Sequence, residues 1–180
     1  PIAALVSRFH FVVATQDWHP ENHVSFAAQH GLPPFSSIPL YGADQTLWPV
    51  HCVQGTPGAA LHQGLPLDSV GVILRKGTYP HIDSYSAFRE NIGPDGKRHT
   101  TGLGALLHAR RIRRVFVCGL ARDFCVGWSA LDAIAEGFSA VVIDDLTRAV
   151  FPDKEEETSA RFSAAGVLHG RSSRLQGGAP

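Results

Sequence analysis

Four short apolar runs constrain the fold more than any other feature of the chain: HFVVATQ at 10–16, GVILRK at 71–76, RVFVCG at 114–119 and SAVVIDD at 139–145. Each is nearly continuous in hydrophobic residues and carries β-branched ones, as expected of a strand buried on both faces. Between and after the later runs the apolar spacing turns helical, in TGLGALLHARRI (101–112), CVGWSALDAIAEG (125–137) and KEEETSARFSAAG (154–166). Gly137 and Gly166 fall where C-cap glycines belong. Strand and helix alternate, so the class is α/β with a mostly parallel sheet.

A chain of 180 residues can bury about two-thirds of its unfolded surface, enough for one core. One domain is expected over 1–170, with RSSRLQGGAP (171–180) as a disordered tail. Residues 20–70 are rich in Pro, Gly and His without a sustained period, and an irregular stretch that long points to function. GLGALL at 102–107 looks like the start of a dinucleotide fingerprint, but it lacks the third glycine and follows no strand. The 16 basic and 16 acidic side chains cancel, which favours neither nucleic acid nor an anionic membrane as partner. No apolar run reaches the roughly 20 residues of a spanning helix, and no signal peptide opens the chain, so a cytoplasmic protein with a small-molecule partner is expected. A homo-oligomer is compatible with this reading. Three cysteines, Cys52, Cys118 and Cys125, form no C-x-x-C pair and read as free thiols. There is no methionine, and PIAALVSRF already reads as the end of an amphipathic helix, so further sequence is expected upstream of Pro1.

In an open parallel sheet, ligands bind beyond the carboxyl ends of the strands. Asp17, Trp18 and His19 follow the first run, Lys76 ends the second, and ARDFC follows the third. Asp17 and His19, two apart on extended chain, point to one side, and WPVHC adds His51. One carboxylate and two imidazoles suit Zn²⁺, Fe²⁺ or Mn²⁺, and His23 can be an additional ligand. A sequence with ten histidines also shows such pairs by chance. Cys125 stands where a strand hands over to a helix. The amides and positive dipole end of the helix favour a thiolate there and can stabilise an oxyanion. A buried structural cysteine is the competing reading, and it is the better one for Cys118. Lys76 is either a solvated cap or a charge that stabilises the thiolate. His10, His30, His62, His81, His99, His108 and His169 read as surface or structural.

Together these segments resemble the nicotinamidases of the isochorismatase-like superfamily, over residues 1 to about 170. The match is carried by VVATQDWHPENHVSFA (12–27), QTLWPVHCVQGTPGA (45–59), RKGTYPHIDSYSAF (75–88) and VFVCGLARDFCVGWSALDA (115–133), in that order. The resemblance implies a three-layer sandwich and deamidation of nicotinamide to nicotinate and ammonia through a cysteine thioester, in NAD salvage. It makes Cys125 the nucleophile, Lys76 the catalytic lysine, and Asp17, His19 and His51 the ligands of a divalent ion, zinc or alternatively iron or manganese. It also implies a cis peptide before Ala121, whose N–H joins that of Cys125 at the oxyanion, and an aromatic pocket walled by Trp48 and Tyr85. The family's base is an aspartate on a first strand in mid-sheet, in a D-x-Q-x-D-F type segment that these 180 residues do not contain. It is expected upstream of Pro1, and the 180-residue chain alone is expected to be inactive or nearly so. Asp123, inside the nucleophile turn, is expected to fix the shape of that turn and not to replace the base. Rival readings are another small-amide hydrolase of the superfamily, a fragment that binds metal and ligand without chemistry, and a hydrolase in which an ion activates water.

Overall fold

All four apolar runs become parallel strands in the computed structural model, which describes residues 1–175. In chain order the strands are β1 (Val13–Asp17), β2 (Ser37–Leu40), β3 (Ala43–Thr46), β4 (Val72–Lys76), β5 (Arg89–Ile92), β6 (Arg98–Thr100), β7 (Arg114–Leu120), β8 (Ser139–Arg148) and β9 (Leu168–Gly170). The helices are α1 (Leu103–Ala109), α2 (Gly127–Ala135) and α3 (Glu155–Ala164). β1 pairs with β4, and β8 lies between β7 and β9, all in parallel. Both blocks are parts of a mixed α/β fold in which helices flank parallel strands. None of the helices described is long and apolar enough to cross a membrane.

Four consecutive residues of β8, Ala140, Val141, Val142 and Ile143, are buried, as a strand with two covered faces requires. Ala140 and Val142 face the main core with Ala130, Ala133 and Phe162 from α2 and α3, while Ile143 faces a second core with Leu5 and Leu146. Val142 and Ile143, both fully buried, each contribute about 1.5–3 kcal/mol. The second core is closed by Ile2–Arg8, a 3₁₀ helix and not the α-helix end read from its spacing.

Three features refine these expectations. Within residues 20–70, read as irregular, β2 and β3 form a hairpin whose two-residue turn, Tyr41–Gly42, takes φ of 51° and 86°. Of the expected disordered tail, residues 171–175 are fastened. Ser172 donates through N and Oγ to Asp145, Arg8 donates to the Leu175 carbonyl, and 176–180 lie outside the described residues. Finally, the parallel strands form two blocks, β1 with β4 and β7 with β8 and β9. A largely apolar cavity of about 380 Å³, lined by Val13 and Thr15 of β1, Val115 and Val117 of β7 and Leu103 and Leu107 of α1, separates them and reaches Cys125.

Candidate active site

Strand register does the first part of the assembly. β1 and β4 are aligned so that Asp17 lies opposite Lys76 at their carboxyl ends. Lys76 Nζ is 2.5 Å from Asp17 Oδ1, donates to the Ser84 carbonyl at 2.8 Å, and reaches Cys125 Sγ at 3.3 Å. One buried ammonium therefore joins β1 and β4 to the turn after β7. Burial opposes its charge, but Cys125 and Asp17 beside it hold Lys76 above the usual ammonium range. Burial by itself raises the Asp17 carboxyl, and Lys76 brings it below the ordinary value.

His51 arrives from a distant part of the chain because residues 47–54 run alongside 19–27. Trp48 N–H donates to Ser25, Ala27 N–H to Trp48, His19 N–H to Cys52 and Gln54 N–H to His19. Phe26, fully buried, makes the floor: its ring lies 5.7 Å from His19 and 5.6 Å from His51. Asp17, His19 and His51 bring a ligand atom each to within 4.8 Å of one another. Both imidazoles are oriented for one point. His19 Nδ1 lies 2.9 Å from the Gly77 carbonyl and His51 Nδ1 lies 2.8 Å from the Pro49 carbonyl. A carbonyl only accepts, so each Nδ1 carries the proton and each Nε2 keeps its lone pair, the arrangement metal-ligating histidines use. Burial lowers the His19 pKa, against the opposing charge of Asp17, which favours the neutral ring a ligand must be. The donor set fits a divalent ion.

His23 belongs to a different group. With His19 and Asp83 it forms a second, fully buried set of ligand-type side chains. Its Nε2 faces the Ile82 carbonyl at 3.2 Å and its Nδ1 takes the Ser25 hydroxyl at 2.7 Å, so neither nitrogen is open. Asp83 receives Gln45 Nε2 on one oxygen and the Ser84 N–H on the other, both at 2.8 Å.

Cys125 lies in a π-helical turn, Arg122–Val126, that precedes α2 and follows a cis peptide between Leu120 and Ala121. Among the described residues, Lys76 Nζ is the hydrogen-bond partner of its Sγ. Burial pushes the thiol up, and Lys76 only partly offsets this. The lowered pKa expected from a helix terminus is thus outweighed by desolvation, and forming the thiolate calls for a base. Asp123 does hold the turn's shape: its two oxygens accept the N–H groups of Val150 and Phe151, each at 2.9 Å. Arg122, also buried, ties the turn to β8 and α3 through Asp144, Thr147 and Ser159. Cys118 packs at the edge of the second core, consistent with a structural thiol.

Trp48 and Tyr85 meet beside this turn, their rings 6.2 Å apart, with Trp48 Nε1 donating to the Tyr85 hydroxyl at 3.3 Å. Burial pushes the Tyr85 phenol far above its ordinary range, so it stays protonated. Sequence reasoning missed Phe124, whose ring is 4.6 Å from Trp48 and 5.3 Å from Tyr85. An aromatic side chain next to a candidate nucleophile was the available signal. It also missed Gln45 and Asp83, which no spacing marks.

Comparison with known proteins gives consistent matches. The family model described as Isochorismatase domain matches residues 5–169. A nicotinamidase of Acinetobacter baylyi is 49% identical over 144 residues, which cover 79% of this chain and 65% of that protein, so the chain spans just under two-thirds of this relative's length. The Acinetobacter baumanii nicotinamidase pyrazinamidease structure superposes with a TM-score of 0.91 at 44% identity, covering 97% of this chain and 84% of its own. The PnC1 crystal structure from L. infantum in complex with nicotinate superposes with a TM-score of 0.83 at 46% identity, covering 97% and 79%.

Proposed function

The chain belongs to the isochorismatase domain family, and on that premise we propose that it hydrolyses nicotinamide to nicotinate and ammonia, with Cys125 as nucleophile. The observation that carries the reading is Lys76 Nζ, 3.3 Å from Cys125 Sγ and 2.5 Å from Asp17 Oδ1. It couples a thiol to a metal-type cluster beside an aromatic wall, and its relatives' names and the nicotinate complex support that choice of substrate. Asp17, His19 and His51 would hold a divalent ion, zinc or alternatively iron or manganese, which would supply a Lewis acid beside the substrate ring.

Cys125 gives its proton to a carboxylate and attacks the carboxamide carbon. The Lys76 ammonium stabilises the thiolate, and the N–H groups of Ala121 and Cys125 receive the oxyanion. The proton passes to nitrogen, the C–N bond breaks and ammonia leaves a thioester. Water then adds to the acyl carbon, its proton returns to the carboxylate, and the C–S bond breaks to release nicotinate and the thiol. Trp48, Tyr85 and Phe124 hold the ring flat. The base is an aspartate on a segment outside these 180 residues, seated between β1 and β7. A cavity of about 380 Å³ that reaches Cys125 supports that placement. Such an enzyme serves NAD salvage in the cytoplasm.

Ammonia release from nicotinamide tests the reading. A protein carrying the upstream segment is expected to turn over, 1–180 alone to be at or near background, and Cys125→Ala to lose all turnover while still binding nicotinamide. Substantial activity in Cys125→Ala would point to water activated at the metal site and remove this mechanism.

A further inference from the structure

The aromatic wall continues outward through two residues to which the mechanism gives no work. Phe35, on the segment leading into β2, lies 6.0 Å from Trp48. Phe151, on the loop between β8 and α3, lies 6.0 Å from Phe124 and 5.9 Å from Phe35. With Trp48 and Phe124 at 4.6 Å, four rings from four separate segments close a circuit. Its inner half touches Tyr85 and adjoins Cys125, whereas its outer half opens to water: Phe35 is 51% exposed.

Both outer rings are held in place. Phe35 has a φ of 67°, a left-handed conformation unfavourable for a bulky side chain, and its N–H donates to the Leu47 carbonyl at 2.6 Å. The Phe151 N–H is gripped by Asp123, two residues before Cys125. The outer pair is thereby fastened to the same two segments that carry Trp48 and the nucleophile.

We propose that Phe35 and Phe151 form a rim that sets the size of aromatic amide admitted to Cys125, passing single six-membered heteroaromatic carboxamides and rejecting fused bicyclic ones. The inference rests on the amide-hydrolase reading. A single ring gains edge-to-face contact with the rim, and a second fused ring collides with it.

The test is equilibrium binding to the zinc-supplemented 180-residue chain, with nicotinamide and quinoline-3-carboxamide as probes. The unaltered chain is expected to bind nicotinamide at least about 10-fold more tightly than the bicyclic amide. Phe35→Ala and Phe151→Ala should each weaken nicotinamide by about 2- to 10-fold and tighten the bicyclic probe. Phe151→Leu covers the case in which Phe151→Ala does not fold, and Phe35 is exposed enough to be replaced safely. A ratio of the two affinities that is the same in every variant, or no preference in the unaltered chain, overturns the rim. Failure of the unaltered chain to bind either amide overturns the substrate reading instead.

Discussion

Two clusters of ligand-type side chains share His19 and differ in almost everything else. Around the buried His19, Asp17 at the end of β1 and His51 on the loop after β3 are partly open, whereas His23 and Asp83 are buried with it. By residue type both could hold an ion. Their hydrogen bonds separate them: in the first, carbonyls occupy Nδ1 of both imidazoles and leave both Nε2 lone pairs free, and in the second every nitrogen of His23 and both oxygens of Asp83 are taken. The difference teaches that proximity of ligand types is not enough, and that a site is read from the lone pairs that remain. The closed cluster works as scaffold. Asp83 and Gln45 brace the Tyr85 hydroxyl, and Ser84, between Asp83 and Tyr85, gives its carbonyl to Lys76.

The sharpest way to break this distinction is to remove one member of each cluster. His51→Ala is expected to weaken zinc binding by more than about 100-fold, beyond what loss of an outer-shell partner costs. Asp83→Asn should leave zinc affinity within about 2-fold and instead lower stability by about 1–3 kcal/mol, since an amide now meets donors it cannot accept on both sides. Zinc titration and denaturant unfolding of the two variants read these separately, and zinc loss in Asp83→Asn with retention in His51→Ala would reverse the assignment.

Acid sharpens the same comparison through His23. Burial lowers its pKa from 6.5 to about 4, against the pull of Asp83. The sign follows from proton counts. Between pH 6.5 and about 4 the unfolded chain binds a proton at this residue and the folded chain does not, so stability is present above pH 6.5 and declines as the pH falls through that window. The expected loss is up to about 3 kcal/mol. His23→Gln, which cannot titrate, should flatten this part of the profile in metal-free urea melts. An unchanged slope would place the acid sensitivity elsewhere.

How much of this was legible in the sequence follows from what each feature depends on. Four of the parallel strands and the α-helices are local in origin, announced by a continuous apolar run or a 3.6-residue period, whereas the short β9 has no such run. The strand-end position of Asp17 and Lys76 follows from the same runs. The lowering of the Cys125 pKa expected from its helix end did not survive, because desolvation depends on neighbours brought from β4 and from residues 83–84. The ordering of 20–70 was invisible for a related reason. Its backbone is held by hydrogen bonds between segments some 20 to 30 residues apart, as between Trp48 and Ser25, and no period encodes such pairs. Gln45 and Asp83 lie in segments that carry the resemblance, but no spacing gives them a role, since their contact is made only when β3 meets the loop after β4.

Gly77 offers the finest cut between the clusters, because it acts on the residue they share. It has a φ of 60°, and a Cβ built there would lie 2.4 Å from His19 Cε1. Its carbonyl is also the acceptor that fixes the His19 tautomer. Gly77→Ala therefore forces either the backbone or the imidazole to move, and the imidazole edge is in the way. Rotation of His19 misaims Nε2 in the open cluster while His23 and Asp83 keep the partners that satisfy them. The expected result is a loss of about 10- to 100-fold in zinc affinity, comparable to losing an outer-shell partner, with acid sensitivity from His23 retained. Zinc titration at pH 7 paired with urea melts across the acid window measures both. Unaltered zinc affinity in Gly77→Ala would mean that the Gly77 contact does not set the His19 geometry and that the open cluster is aimed by Phe26 alone.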